Sequence, residues 1–484
     1  MPAALHGTEH SEMTSETSAN TGVDAVNEMT PEMVETFQFL QQVQQQAIET
    51  DHSKIASLSF PIEPIAPWAV LSALGNIHQR HFYYDSPQQW AIVGLDVVVG
   101  CSAEGPTRFT QAQTFTQKWQ TQFVHAKTNS KADLPGRFFC SATFFDVSPD
   151  CFEPVYIFVP QVQVMTLAEG SNVTFNYLIA ANTEIAETTQ HLYARRSQLM
   201  GARSLGAAKP ASKKVIVRDV ENFEGAVAGA LQQLDPARVH KVVLADVMDV
   251  EARQNIDVVR SLQTLRKNHP DCTVFSVGNG KGQSFIGASP ERLLSINEGR
   301  LTTDALAGSA SRGHTPEADQ AIAQALLNSE KERYEHQVVV EFIARQLRSL
   351  GLTPRHTTEP SLLQLFHIQH LHTPMSADLD ATTISPLDVL AKLHPTPAVA
   401  GLPLQDACKL IHQYENFERG LYAAPLGWID TKGNSEFIVG IRSALVDGAS
   451  ARLYAGAGIV AGSEPKKELA EIKLKLQTLL NALV

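Results

Sequence analysis

The stretch FIVGIRS at 437–443, with LYAGAGIV at 453–460 and SEPKKELAEIKLK at 463–475 behind it, decides how this chain is read. Alternation along the first segment puts Phe437, Val439 and Ile441 on one strand face and Gly440 and Arg442 on the other. The same rule places Gly456 and Gly458 on a single face of the next strand. Glycine weakens a strand and often marks close approach by a ligand or another backbone. An arginine beside such a bare face can hold a carboxylate in a two-point fork. The third segment predicts a terminal helix over about 465–480, with Glu468 and Glu471 three residues apart on one side.

Working outward, the second half of the chain predicts strands at 242–250, 273–277, 284–288 and 292–296, partial helix over 215–233 and 255–267, and one long helix over 316–350. The first half predicts a helix over 31–51, with Met33, Phe37, Leu40 and Val43 near one face. It also predicts strands at 91–100, 137–145, 155–167 and 172–180. Many antiparallel-type strands with separate helices indicate an α+β fold. Residues 1–30 are polar and poor in large apolar groups, which predicts a disordered tail. Residues 201–214, GARSLGAAKPASKK, are the best internal linker candidate. The resulting division is a tail at 1–30, an N-terminal part of the fold at 31–214 and a catalytic region at 215–484.

Composition narrows the function. The 484 residues include 39 Lys plus Arg and 51 Asp plus Glu, a net charge of −12, with 43% hydrophobic and 19% charged residues. A field of that sign argues against nucleic acid and anionic membrane surfaces as partners. The five cysteines are scattered and form no CxxC pair, which excludes a disulfide scaffold or zinc ribbon and suits a reducing cytoplasm. No apolar run approaches the ~18 residues of a membrane span. The N-terminal segment has neither a basic n-region nor an apolar h-region, so no secretory signal is expected.

Two helical carboxylate pairs stand out, Glu332 with Glu335 and Glu468 with Glu471. Glu335 shares its face with Val338, Val339 and Phe342, so burial and a charged partner are expected. The plain reading of Glu471 is a helix ion pair with Lys475, four residues on. If the two helices meet, their acidic faces could jointly hold Mg²⁺, which takes oxygen ligands from one or two carboxylates, water and substrate. Lys241 opens an apolar strand and Glu291 follows one; each alone reads as a solvated strand end. A lysine base needs its pKa lowered and a glutamic acid needs its pKa raised, and opposed shifts of that kind define an acid/base pair. SVGNGKGQS at 276–284 lacks the spacing of a phosphate loop. His367, His370 and His372 lack the spacing of a zinc site.

Nine segments in order carry the argument further: KVVLADV (241–247), FIGASPERLL (285–294), DALAGSASRG (304–313), KERYEH (331–336), HLHT (370–373), LHPTPAVAGLP (393–403), ENFERGLYAAPLGW (415–428), FIVGIRS (437–443) and AGAGIVAGSEPKKELAEIKLK (455–475). Together they resemble the chorismate-utilising enzymes, strongly over 215–484 and more loosely before, and within that family they are most similar to the isochorismate synthases. The resemblance implies a single large α+β domain of two packed, mostly antiparallel sheets flanked by helices. It implies Mg²⁺ on Glu335 and Glu471, with Glu332 and Glu468 acting directly or through waters. It implies Arg442 and Tyr422 on the pyruvyl-ether carboxylate, helped by Lys475 and the backbone of 455–458 (Gly456, Ala457, Gly458 among them), and Gly308, Ser309, His370 and Thr373 beside the ring.

Two positions choose the reaction within the resemblance. Aminating relatives carry a nucleophilic lysine where this chain has Ala307, and anthranilate synthases carry glutamine where it has Lys241. The implied reaction is therefore attack of water on carbon 2 of chorismate, with Lys241 as base and Glu291 as acid at the carbon 4 hydroxyl. Departures from the family pattern are Ala400-Gly401 for Gly-Gly, Glu418 for Asp in Asp-Arg-Gly, and Ala424 for Gly before Pro425. No role falls on Asp304. A salicylate synthase, which goes on to eliminate pyruvate, and a catalytically silent chorismate-binding homologue are the alternatives. No amidotransferase subunit is expected, because ammonia is not needed; a monomer or homodimer is.

Overall fold

The computed structural model describes residues 29–76, 78–126, 134–149, 151–201, 215–219, 222–234, 239–365, 368–379 and 384–483. Nearly all of the tail expected at 1–30 and of the linker expected at 201–214, together with His367, lies outside them.

Two large sheets organise the chain. Among the described residues the larger has thirteen strands and the smaller ten, and the strands pair antiparallel except for Lys54–Ile62 with Phe123–His125. Both halves of the chain contribute to both sheets. In the larger, Thr273–Asn279 pairs with Arg80–Asp85 in the register Phe275 to Tyr84. In the smaller, Pro425–Asp430 pairs with Arg137–Ala142 in the register Gly427 to Cys140. The divide at 214/215 is thus a point along the chain, and the strands on its two sides share their sheets. The sheets pack through aromatic side chains: Phe82 of the larger stacks on Phe139 of the smaller at 4.8 Å, and both are buried. Each such ring contributes about 2 kcal/mol by leaving water.

Several expected elements are divided. The apolar runs at 91–100 and 155–167 each form two strands, Ala91–Leu95 with Val99–Ala103 and Val155–Val159 with Val162–Leu167. In each, one strand belongs to the larger sheet and one to the smaller. Asp96, at φ 59°, makes one of the turns. A chain passing between two sheets with apolar inner faces stays apolar throughout, so hydropathy does not mark the passage. FIVGIRS behaves likewise: Ser435–Val439 ends in the smaller sheet and Ser443–Asp447 begins in the larger, with Arg442 at φ 50° between them. Arg442 therefore sits at a crossing, where the sequence had suggested a strand face.

The helix expected at 316–350 is two, Pro316–Asn328 and Glu330–Ser349. Ser329 ends the first and caps the second, accepting a hydrogen bond from Glu332 N at 3.3 Å. The first helix, Pro31–Thr50, is capped by Thr30 and buries Thr36, Leu40, Val43 and Ala47; Met33 and Phe37 stand at the margin of that stripe. The strand Val215–Asp219 precedes the helix Phe223–Gln233 within the region read as partly helical.

A buried ion pair anchors the strand Lys241–Ala252. Arg419 and Glu415 are 1% and 3% exposed and 2.6 Å apart. Arg419 donates to the carbonyls of Val243 (2.8 Å) and Val399 (3.0 Å), and Glu415 accepts from Ala245 N at 2.8 Å. The guanidinium lies over the Phe144 ring. Removing one partner would leave a buried charge alone. Arg419→Met is expected to cost about 3–5 kcal/mol, measured as a lowered urea midpoint with unchanged slope.

Candidate active site

A cavity of about 170 Å³ opens where Lys241–Ala252, Ser450–Val460, Arg300–Ser311 and the crossings at Pro290-Glu291 and Ile441-Arg442 converge. Its lining includes Lys241, Glu291, Gly308, Ser309, Glu335, His370, Tyr422, Arg442, Gly456, Gly458, Glu471 and Lys475. Residues from ten segments of sequence thus share one small volume.

The bare strand face has a local explanation. Gly458 pairs with Val243, and a β-carbon there would come within 3.1 Å of Lys241 Cε, so the missing side chain leaves room for the lysine stem. At Gly456 a β-carbon would stand 2.6 Å from Tyr422 Oη. Tyr422 is itself stacked on Tyr454 at 5.3 Å. Tyr454 lines the cavity too, and was absent from the sequence reading although alternation from Gly456 puts it on the same face. Gly308 lies at φ 77° in a break of register between Ala307 and Ser309, where a β-carbon would also meet Glu332 Oε2 and Leu371 Cδ1 at 3.2 Å. The irregular strand brings Leu306, Ala307, Gly308 and Ser309 to the cavity together.

Charges are paired at its wall. Lys241 Nζ is 2.6 Å from Glu335 Oε1, and both groups are largely buried. Burial works to raise the Glu335 carboxyl, but the charge and hydrogen bond of Lys241 outweigh it and hold the group below its ordinary value. Lys475 bridges Glu471 (2.7 Å) and the Gly456 carbonyl (2.9 Å), so the expected helix ion pair is present and is also tied to the cavity. The Arg442 guanidinium makes one hydrogen-bonding contact among the described residues, to Cys272 Sγ at 3.7 Å, and so has capacity left for an anion.

Glu291 is buried, and desolvation pushes its carboxyl up to about 7, with Lys241 and Arg442 opposing and Asp304 assisting. This is the direction a general acid requires. His370 donates or accepts at Ser309 Oγ (2.8 Å) through Nδ1, and its Nε2 is buried without a partner among the described residues. Burial, then the charges of Arg442 and Lys475, push it down to about 3, so the ring is neutral.

Four named residues stand behind the wall. Thr373 is buried and stands 2.7 Å from His336 Nε2 on the helix Glu330–Ser349. Ala457 is buried on the opposite face from its neighbouring glycines, opposite Leu244. Glu332 accepts from Ser309 N at 3.3 Å, and Glu468 lies in the first turn of Pro465–Leu483. Both carboxyls are raised, by burial and then by the like charge of Glu335 and Glu471 respectively. Lys331 acts on both, which brings the starts of the two helices into one neighbourhood.

These carboxylates fit Mg²⁺ in donor type and charge. Glu335 and Glu471 face one cavity, and repulsion within each helical pair is what a cation would relieve. No cluster of three or more acidic, His or Cys side chains converges as a ready cation cage among the described residues.

The raised Glu291 carboxyl has a consequence for stability. The folded protein keeps this proton up to about pH 7, whereas the ordinary value is 4.5. Stability from this group is complete below the lower value and declines as pH rises through the higher one, by about 3 kcal/mol at most. Glu291→Gln is expected to unfold at a higher temperature than the parent at pH 8, with the gain vanishing toward pH 4.5, in thermal melts across that range.

Comparison with known proteins identifies the family and the fold. Residues 38–484 match the family described as chorismate binding enzyme. The chain is 33% identical over 450 residues to the salicylate biosynthesis isochorismate synthase of Pseudomonas aeruginosa, covering 90% of this chain and 92% of that one. It is 31% identical over 453 residues to isochorismate synthase MenF of Bacillus subtilis, covering 90% and 95%. The solved structure of MenF, the menaquinone-specific isochorismate synthase from Escherichia coli, superposes with a TM-score of 0.75 at 23% identity, over 92% of this chain and all of that one, and so shares the fold. With the family match spanning residues 38–484 and two relatives above 30% identity over nearly their whole length, the chain belongs to the chorismate-binding enzymes.

Proposed function

We propose that this protein converts chorismate to isochorismate. The observation that carries the reading is one cavity with Lys241 and Glu291 both on its wall, the acid's carboxyl held protonated to near neutral pH, and Arg442 ready for a carboxylate. The names of the two full-length relatives, both isochorismate synthases, support it.

In this reading Arg442 and Tyr422 hold the enolpyruvyl carboxylate, with the backbone at 455–458 and Lys475 alongside. Gly308, Ser309 and the neutral His370 border the ring. Glu335 and Glu471 would hold Mg²⁺, assisted by Glu332 and Glu468, and the ion would supply charge withdrawal at the ring carboxylate. Lys241 takes a proton from water as the water oxygen bonds to carbon 2. The ring double bonds shift, the bond from carbon 4 to its hydroxyl breaks, and Glu291 gives that oxygen its proton, releasing water. Return of the proton from Lys241 to Glu291 through solvent closes the cycle, with no oxidant consumed. Acid–base help of this kind is worth ~10²–10⁴-fold. Ala307 at the wall offers no amine for a covalent route. Nothing in this chemistry calls for ammonia or an amidotransferase subunit.

Incubation with chorismate and Mg²⁺, followed by chromatography, is expected to give isochorismate. Salicylate and pyruvate as main products would replace the reading with a salicylate synthase, and no turnover would leave a silent chorismate binder. Lys241→Gln is expected to lower kcat by at least ~10²-fold while chorismate still binds by calorimetry. Excess chelator is expected to stop turnover and added Mg²⁺ to restore it; full activity in chelator would remove the carboxylate site.

A further inference from the structure

Asp304 lies outside the cavity wall, in the strand Arg300–Ser311. Its carboxylate nevertheless joins two charged neighbours. Oδ2 accepts from Arg292 Nε at 2.9 Å, and Oδ1 stands 2.9 Å from His372 Nε2. Arg292 is the residue after Glu291, so the pair connects one strand directly to the peptide that carries the acid.

The backbone explains why a side-chain tie is needed there. The ladder between Arg292–Asn297 and Arg300–Ser311 runs from Asn297 with Arg300 to Ser295 with Thr302 and then lapses. On its other side, Arg292–Asn297 has a register shift between Arg292 and Leu294. Toward Glu291 the neighbouring strand is held by Thr303 Oγ1 donating to the Leu293 carbonyl (2.7 Å) and by the Arg292–Asp304 pair. The peptide of Glu291 is fixed from the opposite side, its carbonyl accepting from Val439 N at 3.0 Å. Asp304 thus completes a clamp around a residue that must leave one sheet for the other.

We propose that Asp304 is a positioning residue for Glu291, holding the acid's strand end through Arg292 and presenting a second negative charge to it. The inference rests on Glu291 being the general acid. The charged and titratable groups acting on Glu291 are Lys241 and Arg442, which favour its ionised form, and Asp304 and the buried Tyr422, whose hydroxyl is raised well above its ordinary value. Asp304 is the fixed negative charge of this set, and its own partners Arg292 and His372 set how strongly that charge is felt.

The test is the pH profile of kcat/KM, which reports groups of the free enzyme. Asp304→Asn keeps the shape, deletes the charge and frees Arg292, so the limb set by Glu291 is expected to move about 1 unit toward acid, and Asp304→Glu is expected to restore it. Arg292→Gln leaves Asp304 uncompensated and is expected to move the same limb toward alkali. Loosened packing would not give opposite shifts from the two halves of one pair. Melting curves for each variant confirm that it is folded. If both limbs stay in place, or both variants shift the same way, the inference is overturned. Glu291→Gln separates the two levels: full turnover in that variant overturns the acid assignment itself, whereas an inactive Glu291→Gln beside an unmoved Asp304→Asn profile overturns only the role of Asp304.

Discussion

The site depends on two places where the chain leaves one sheet for the other, bonded side by side. Gln283–Ser289 of the larger sheet passes through Pro290-Glu291 into Arg292–Asn297 of the smaller, and Ser435–Val439 of the smaller returns through Gly440-Ile441-Arg442 to Ser443–Asp447 of the larger. Ser289 Oγ donates to the Val439 carbonyl at 2.6 Å, Val439 N to the Glu291 carbonyl at 3.0 Å, and Ala288 N to the Arg442 carbonyl at 3.1 Å. Each crossing satisfies backbone groups that the other leaves open. Neither could move alone without orphaning buried donors, a cost of about 1–3 kcal/mol for each group.

That stitching places an acid and a guanidinium at one end of the sheet interface, and the surroundings then set their chemistry. Burial keeps the Glu291 proton to about pH 7. Arg442, in a left-handed backbone conformation costly for a residue with a side chain, is held there by its carbonyl accepting from Ala288 N in the larger sheet. Lys241 reaches the same cavity from the larger sheet because Arg419 and Glu415 bind its strand two and four residues on. A site built from strand ends and crossings inherits the rigidity of two sheets, while its side chains remain free to meet a ligand.

The helices contribute the opposite kind of charge. Glu335 and Glu471 approach from two elements 136 residues apart in sequence. Each is held by a lysine, Lys241 or Lys475, that belongs to the same cavity. The wall therefore contains two carboxylate–lysine pairs built across or within separate elements, and in each the charge is compensated by its partner.

Much of this was legible in the residues. Spacing put Glu332 with Glu335 and Glu468 with Glu471 on helix faces, and alternation put Gly456 and Gly458 on one strand face, because those relations span at most one turn or two pleats. The ordered motifs identified the α+β architecture, and their segments contain most of the residues that line the cavity. What the chain alone did not disclose was how residues remote in sequence meet. The split of 155–167 between sheets, the break at Ser329, the crossing at Arg442, the retreat of Thr373 behind the wall and the clamp on Glu291 at Asp304 all depend on a second element arriving from elsewhere. Local pattern determines which face of a strand or helix is bare, charged or apolar. Which faces are brought together, and hence which carboxyl loses water and keeps its proton, is decided by packing between sheets, since desolvation is a property of the assembled neighbourhood and not of any segment.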